Sequence, residues 1–480
     1  MRQTMRLPLR VLSDLPPANE AAAEKRLSQE LSLCEKKIIV LDDDPTGTQT
    51  VHGVSVYTDW KPETFLRAFR EPGRIFFVLT NSRAMTAPQT TQAHREIAAA
   101  IHEAARICGK DFILISRSDS TLRGHYPLET ALLREELEAL GQPPFDGEIL
   151  HPFFPEGGRF TLEGVHYVQE DGELVPAGQT EFARDLSFGY RSSDLAEWCE
   201  ERSGGTYPAS QVTRISLEDL RAQNYEKIAS QLLDVHHFGK VIVDSAGYAD
   251  VKVFSAALLS VMRQGKRFLF RSAAALPKVL GGVPERPLLT HQELILSKNR
   301  NGGIVLIGSH VNKTTQQMEE LRNCRYPLAF LEFNQHLVRI DGGLEQEARR
   351  VTALAQEKIT AGQSVVIHTR RDRFDLPDAG AEQQLAISVR ISDALTGIIG
   401  ALAIRPNFIV AKGGITSSDI ATKALRIRHA VVMGQIKPGI PVWMTGDESK
   451  FPGMPYLIFP GNVGSRSTLR EVVETLVFDS

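Results

Sequence analysis

The chain has 480 residues, 42% hydrophobic and 24% charged, with a formal net charge of −3. That length exceeds one ordinary core and predicts two domains, and a charge so close to neutral argues against an electrostatic nucleic-acid binder. No run approaches the ~20 apolar residues of a membrane span, the N-terminus lacks a signal-type apolar stretch, and Cys34, Cys108, Cys199 and Cys324 are scattered without a C-x-x-C pair. The expectation is a cytoplasmic protein with no zinc site, no disulfide framework, and no membrane or nucleic-acid partner.

Residues 1–36 read as an N-terminal extension with one polar helix over 20–33. From residue 37 the pattern becomes strand, loop, helix. Apolar runs at 38–41, 74–79 and 111–115 alternate with helical patterns at 88–108 and 128–140. Ile97, Ile101 and Ala104 fall on one face of the first of these helices. Residues 147–210 are richer in Gly, Pro and aromatics and predict an excursion with some antiparallel structure. Alternation resumes with a strand at 240–244, a helix at 251–263 and a strand at 267–270. A stretch rich in Pro, Gly and charge follows and is the candidate linker, 276–302. A second alternation then begins at 304–307 and runs through a helix from about 312, strands at 329–332 and 364–368, and helices at 344–361 and 382–403. It closes with runs at 408–410, 431–433, 442–444 and 456–459 and a terminal helix. Strands alternating with helices predict an α/β fold. Two domains, 37–275 and 303–480, would each carry a mainly parallel sheet flanked by helices, with an active site in the cleft between them.

Ligands of open α/β sheets bind at the carboxyl ends of the strands, so the loops after the apolar runs carry the functional reading. LDDDPTGTQ at 41–49 puts Asp42, Asp43 and Asp44 at such an end. Three adjacent carboxylates repel unless a cation, a hydroxyl or backbone N–H groups compensate them. An acidic loop of this kind is more often a solvated turn; the buried run before it and the Thr-Gly-Thr after it favour a site. SRSDSTLRGHY at 116–126 supplies Arg117, Asp119, Ser120 and Arg123, with Gly124 for an unusual backbone angle. Arg can clamp a carboxylate in two-point fashion while Asp and Ser read hydroxyls, an inventory that suits a short polyhydroxy acid. Arg83, after the neighbouring run, is a further carboxylate partner. Glu156 and Arg159 lie in PFFPEGGR, a segment that is often only a turn, and Glu181, Arg184 and Asp185 in TEFARD fit a structural ion-pair network as easily as a site.

The C-terminal half has glycine-bearing turns after three apolar runs: Gly308-Ser309, Gly413-Gly414-Ile415-Thr416-Ser417, and Gly461-Asn462-Val463-Gly464. Turns of bare backbone N–H groups opening a helix suit phosphate. Neither a Walker G-x-x-x-x-G-K-[ST] nor a G-x-G-x-x-G is present. The histidines form no H-E-x-x-H, and His52, His125 and His151 are the ones near the candidate loops. Together the two halves predict phosphate moved between a nucleotide site and a polyol site.

In order along the chain, DDPTG at 43–47, DSTLRG at 119–124, PFFPEGGR at 152–159, TEFARD at 180–185, GS at 308–309, GGITS at 413–417 and GNVG at 461–464 resemble the four-carbon acid sugar kinases. That resemblance implies an N-terminal acid-sugar domain and a C-terminal ATP domain. It also implies phosphorylation of the terminal 4-hydroxyl of threonate, erythronate or an oxo-tetronate. Carried over by motif, Asp43, Asp44 and Asp119 would be catalytic. Arg83, Arg117, Asp119, Ser120, Arg123, Glu156 and Arg159 would hold the sugar. Ser309, Gly413, Gly414, Ile415, Thr416, Gly461, Asn462 and Gly464 would hold ATP with Mg²⁺. A homodimer is compatible with the family. Two other functions fit the same residues: a metal-dependent lyase or aldolase using Asp42–Asp44 for its ion, and a silent acid-sugar-binding protein.

Overall fold

The computed structural model describes residues 5–296, 299–308, 312–372, 374, 381–461 and 463–477. They form two compact units, one of Met1–Gly47 with Asp59–Glu285, the other of Thr48–Thr58 with Arg286–Ser480. The division at Glu285 falls within the expected 276–302 linker. The passage of Thr48–Thr58 into the second unit has no counterpart in the sequence pattern.

In the first unit the main sheet is parallel throughout. Its strands lie in the order Thr213–Ile215, Gly239–Val243, Gly147–His151, Phe268–Ser272, Phe112–Arg117, Lys37–Asp42 and Ile75–Leu79. Parallel strands covered on both faces read as continuous apolar runs, and every residue of Lys37–Asp42 and Ile75–Leu79 is buried. The helix Ala87–Cys108 begins where Thr86 and Gln89 form a reciprocal cap and ends at Gly109 in the left-handed region (φ +59°). It buries Ile97, Ile101 and Ala104, as its spacing predicts. The expected excursion is an antiparallel sheet in which Leu7–Pro8, Glu173–Pro176, Val165–Glu170 and Arg159–Leu162 pair in that order.

The N-terminal helix Glu20–Ser32 packs on helix Tyr248–Arg263 through Ala23 and Leu27. Salt bridges from Lys252 to Glu20 and Glu24, and from Arg263 to Glu30, fasten it there. The start of the expected linker is instead a buried helix, Ala275–Leu280, because Leu276, Val279 and Leu280 supply an apolar face that outweighs the proline beside them.

In the second unit Ile409–Lys412, Ile304–Ile307, Ser364–Thr369 and Leu328–Phe333 are parallel neighbours. Pro455–Phe459 lies parallel on the other side of Ile409–Lys412. An antiparallel extension follows through Ile440–Thr445, His429–Lys437 and Val54–Tyr57. Val305, Ile307, Val410, Leu457 and Phe459 share a core with Leu469, Val472 and Leu476 of the terminal helix Thr468–Leu476. Among the described residues no helix is long and apolar enough to cross a membrane.

Candidate functional site

Register brings the acidic loop and the DSTLRG loop together. Asp42 and Arg117 end adjacent parallel strands and stand opposite one another, and Ser272 ends the next strand opposite Arg117. The residues that follow these strand ends therefore share one edge of the sheet.

The charges there form two layers. In the deeper one, Arg117 Nη1 donates to Asp42 Oδ1 at 3.0 Å and lies 3.9 Å from Asp43 Oδ1. Asp43 in turn accepts two bonds from Arg83, Nη2 to Oδ1 at 2.7 Å and Nε to Oδ2 at 3.1 Å. Arg117, Asp42 and Asp43 are buried. The outer layer is Arg83, 20% exposed, with Asp44 and Asp119 at 3.8 and 3.9 Å from its Nη1. Arg123, 23% exposed, donates from Nε to Asp119 Oδ2 at 2.7 Å and reaches Asp185 at 3.7 Å.

The same burial acts differently on the carboxylates. Desolvation raises Asp42 to about 7 against the opposing pull of Arg117, with Asp43 and Asp44 adding to the rise. Burial also raises Asp43, even with Arg83 beside it. At Asp44 burial is outweighed by Arg83 and the Thr46 bonds, and the group is held below the ordinary range. At Asp119 burial is outweighed by Arg123, Arg83 and a bond from Thr121, and the carboxyl is held far down. The outer carboxylates are thus firmly ionised.

Glycine is required at two points. A Cβ on Gly47 would land on the Asp42 carboxylate. Gly124 has φ +122°, and a Cβ there would lie 2.8 Å from Arg271 Nη2 and 3.4 Å from Asp43 Oδ2. Arg271 holds the loop from beneath, donating to the Arg123 carbonyl at 2.9 Å and to Glu129 at 2.7 Å. Glu129 also accepts from Ser82 Oγ at 2.5 Å. Arg271, Glu129 and Ser82 escape the sequence reading. Arg271 alone leaves a visible signal, a charged residue at the end of a buried strand; Glu129 lies on helix Leu128–Ala139 and Ser82 is uncharged.

Ser120 is buried, and its carbonyl meets His166 Nε2 at 2.7 Å. Arg159 bonds the Gly157 carbonyl, and its guanidinium lies 5.7 Å from the Phe182 ring, which Arg123 approaches to 5.0 Å. Arg159 thus stands beside the cluster. Glu156 instead accepts from Tyr248 Oη at 2.6 Å. Within TEFARD, Phe182 carries the two guanidinium groups and Asp185 meets Arg123 while accepting from the Ser187 and Phe188 amides. His151 is buried, donates to or accepts from Ser245 Oγ at 2.8 Å, and burial lowers it to about 3.

The cluster does not fit a divalent cation of its own, because each carboxylate already faces a guanidinium: Asp42 Arg117, Asp43 and Asp44 Arg83, Asp119 Arg123. Among the described residues no group of three His, Cys, Asp or Glu is arranged for a metal ion.

In the second unit Ile307, Lys412 and Phe459 stand opposite one another on adjacent parallel strands. Gly308, Gly413 and the Pro460-Gly461 turn therefore follow neighbouring strand ends. Gly413 has φ +118° and precedes the short helix Gly414–Asp419. A Cβ on Gly308 would lie 2.8 Å from Thr416 Oγ1, so those two turns touch. Ser417 ties the turn down through its hydroxyl, which donates to the Gly413 and Ala411 carbonyls at 2.6 and 3.1 Å. Gly461 has open space where a Cβ would point. Gly464 (φ +83°) sits against Thr468, whose hydroxyl accepts from the Ser465 amide at 2.8 Å, so its glycine serves the terminal helix. Ser309 and Asn462 lie outside the described residues, as does the side chain of Ile415.

Residues 38–280 match the model of a sugar-binding N-terminal domain, and residues 304–469 that of a nucleotide-binding C-terminal domain. No curated protein matches the sequence with significance. A Salmonella typhimurium LT2 protein, solved under a provisional description as a tRNA synthase, superposes with a TM-score of 0.63 at 16% identity, over 91% of this chain and 98% of that one. A Haemophilus influenzae protein, HI1011, of the DUF1537 family, superposes with a TM-score of 0.57 at 16% identity, over 92% of this chain and all (100%) of the other. At such identities these likenesses speak for the fold alone. The sugar-binding model spans more than half of the chain, and the chain belongs to the family it defines, with the nucleotide-binding domain following in the same polypeptide.

Proposed function

We propose that this protein is an ATP-dependent kinase of the four-carbon acid sugar type, phosphorylating the terminal 4-hydroxyl of threonate, erythronate or an oxo-tetronate. The observation that carries the reading is the outer charge layer of the sugar-binding domain. Arg83 and Arg123, partly exposed, alternate with Asp44 and Asp119, which stay ionised. An acid sugar needs that alternation: guanidinium for its carboxylate, carboxylate oxygens for its hydroxyls. The nucleotide-binding domain that follows supplies the other reactant.

Phosphoryl transfer asks little covalent chemistry of the protein and much positioning. In this reading Arg83 and Arg123, with Arg159 beside them, orient the acid. Asp119 or Asp44 accepts a hydrogen bond from the attacking hydroxyl and takes its proton as the bond to phosphorus forms. A carboxylate with so low a proton affinity is a weak base, which suffices where the proton leaves late. Asp42, Asp43 and Arg117 act indirectly, holding Arg83 and the loops in place. Ser120 contributes to the same loop, and Glu156 is assigned to the pocket's margin. Gly413, Gly414, Thr416 and Gly461, with Ser309, Ile415, Asn462 and Gly464 carried by motif, would receive the nucleotide.

The guanidinium partners of every carboxylate speak against the metal-dependent lyase or aldolase. A silent acid-sugar-binding protein would use the same pocket. The test is ADP release from Mg-ATP with D- and L-threonate, D- and L-erythronate and the oxo-tetronates. Turnover of one or two acids is expected. Stabilisation by an acid with no ADP formed would favour the silent protein, and turnover of an acid without ATP would favour the lyase.

A further inference from the structure

We infer that Lys412 is a phosphate-binding residue of the nucleotide domain, its ammonium contacting the phosphate chain of the bound nucleotide. This rests on the nucleotide reading of the glycine turns given above. Lys412 ends the strand Ile409–Lys412, directly before Gly413, and is fully buried. Its strand neighbours at that level are Ile307, one residue before Gly308, and Phe459, two before Gly461. Its amine therefore belongs to the edge at which all three turns open.

The surroundings of that amine are unusual for a buried lysine. Nζ donates to the Pro460 carbonyl at 3.2 Å and lies 4.0 Å from the centre of the Phe459 ring. An ammonium has three donors, and among the described residues no carboxylate forms an ion pair with this one. Of the other buried lysines, Lys240 and Lys278 meet Glu148 at 2.5 Å and Glu285 at 2.7 Å, and Lys37, bonded to the Glu71 and Gly73 carbonyls, has the opposite charge of Glu71 nearby. The other charge felt at Lys412 is Lys313, of the same sign; burial first, then that repulsion, lowers Lys412 to about 7. A carbonyl and an aromatic face do not balance a full charge in an interior. Packing alone would be served better by methionine, since a desolvated ion costs stability that an apolar side chain of similar length does not. What the arrangement suits is an anion delivered to the same edge. Phosphate brings the counter-charge and acceptors for the remaining donors.

Three measurements test this: ADP affinity of the wild type, Lys412→Met and Lys412→Arg by calorimetry, inhibition of ADP binding by inorganic tripolyphosphate, and melting of each protein without ligand. In Lys412→Met the ADP affinity is expected to fall at least tenfold and tripolyphosphate competition to fall with it. The ligand-free melting temperature should be unchanged or higher, because a desolvated charge is gone. Lys412→Arg should regain part of the ADP affinity. ADP affinity in Lys412→Met within twofold of wild type would overturn the inference. So would a joint fall of affinity and melting temperature that arginine does not recover, since that marks a structural lysine. Wild type that binds neither ADP nor tripolyphosphate would remove the nucleotide reading, and this inference with it.

Discussion

At the end of strand Lys37–Asp42 the proposed acid-sugar site is a set of charged side chains that neutralise one another; at the end of strand Ile409–Lys412 the proposed nucleotide site is a set of backbone turns and one ammonium that meets no carboxylate among the described residues. In the first region each carboxylate has a guanidinium within 4 Å, and the pairs are cross-braced by Glu129 and Arg271. That cluster balances itself, so in the proposed reading its members hold the fold as well as the acid. In the second, Gly308, Gly413 and Gly461 offer amides and little side chain, and the nucleotide contacts proposed for them would add little to the folded state. Substitutions in the first region should therefore cost stability and activity together, whereas those at Lys412 and Gly461 in the second should cost affinity alone.

The largest effect expected is on turnover. Asp119→Ala should lower kcat/KM for the acid by about 10³-fold, within the usual range for a positioned acid or base, with ADP affinity within twofold of wild type. Steady-state kinetics with calorimetry checks both, and loss of ADP affinity at normal acid affinity would reverse the assignment. Next is Arg117→Met, which leaves Asp42 buried and unpaired and should cost about 3–5 kcal/mol in urea unfolding at pH 8. Adding Asp42→Asn should recover much of that. A single variant as stable as wild type would mean the deeper layer carries no load. Gly124→Ala comes third, at about 1–3 kcal/mol for a side chain forced into a positive-φ conformation, read as a lowered Tm.

The smallest effect sharpens the contrast between the two layers through pH. Asp42 is raised in the folded state to about 7, so the folded protein holds a proton that the unfolded chain, with a carboxylate pKa of about 4, has released. Its contribution is fully present below about pH 4 and is lost as pH rises through about 7. Asp119 is held down, so its contribution is present above about pH 4 and is lost on acidification. Asp42→Asn should therefore gain on wild type between pH 4 and 7, while Asp119→Asn should lose on wild type as pH rises out of the acid range. Parallel stability curves would contradict both signs.

Much of the fold was legible because buried parallel strands announce themselves as apolar runs, and the loops after them hold the candidate residues. Asp42–Asp44, Arg83, Asp119 and Arg123 converge from such loops. What escaped depends on partners far away in sequence, most often a buried charge met by its opposite. The strand Gly147–His151 reads poorly because Glu148 lies within it, yet Glu148 is neutralised by Lys240 on the adjoining strand. Arg271 lies just past the visible apolar run 267–270, and its partner Glu129 sits on helix Leu128–Ala139. Thr48–Thr58 joins the C-terminal unit because Val54–Tyr57 pairs with His429–Lys437, a long-range match no local pattern encodes. The Tyr248 hydroxyl that bonds the Glu156 carboxylate is likewise far away in sequence.

The most direct test of phosphoryl transfer to an acid sugar is to identify the product. The acid that releases ADP should be incubated with Mg-ATP and followed by phosphorus and carbon NMR. The expected result is a new phosphate monoester coupled to C4, formed in equal amount to ADP. Inorganic phosphate formed with the acid unchanged, or an acid transformed without ATP, would contradict it.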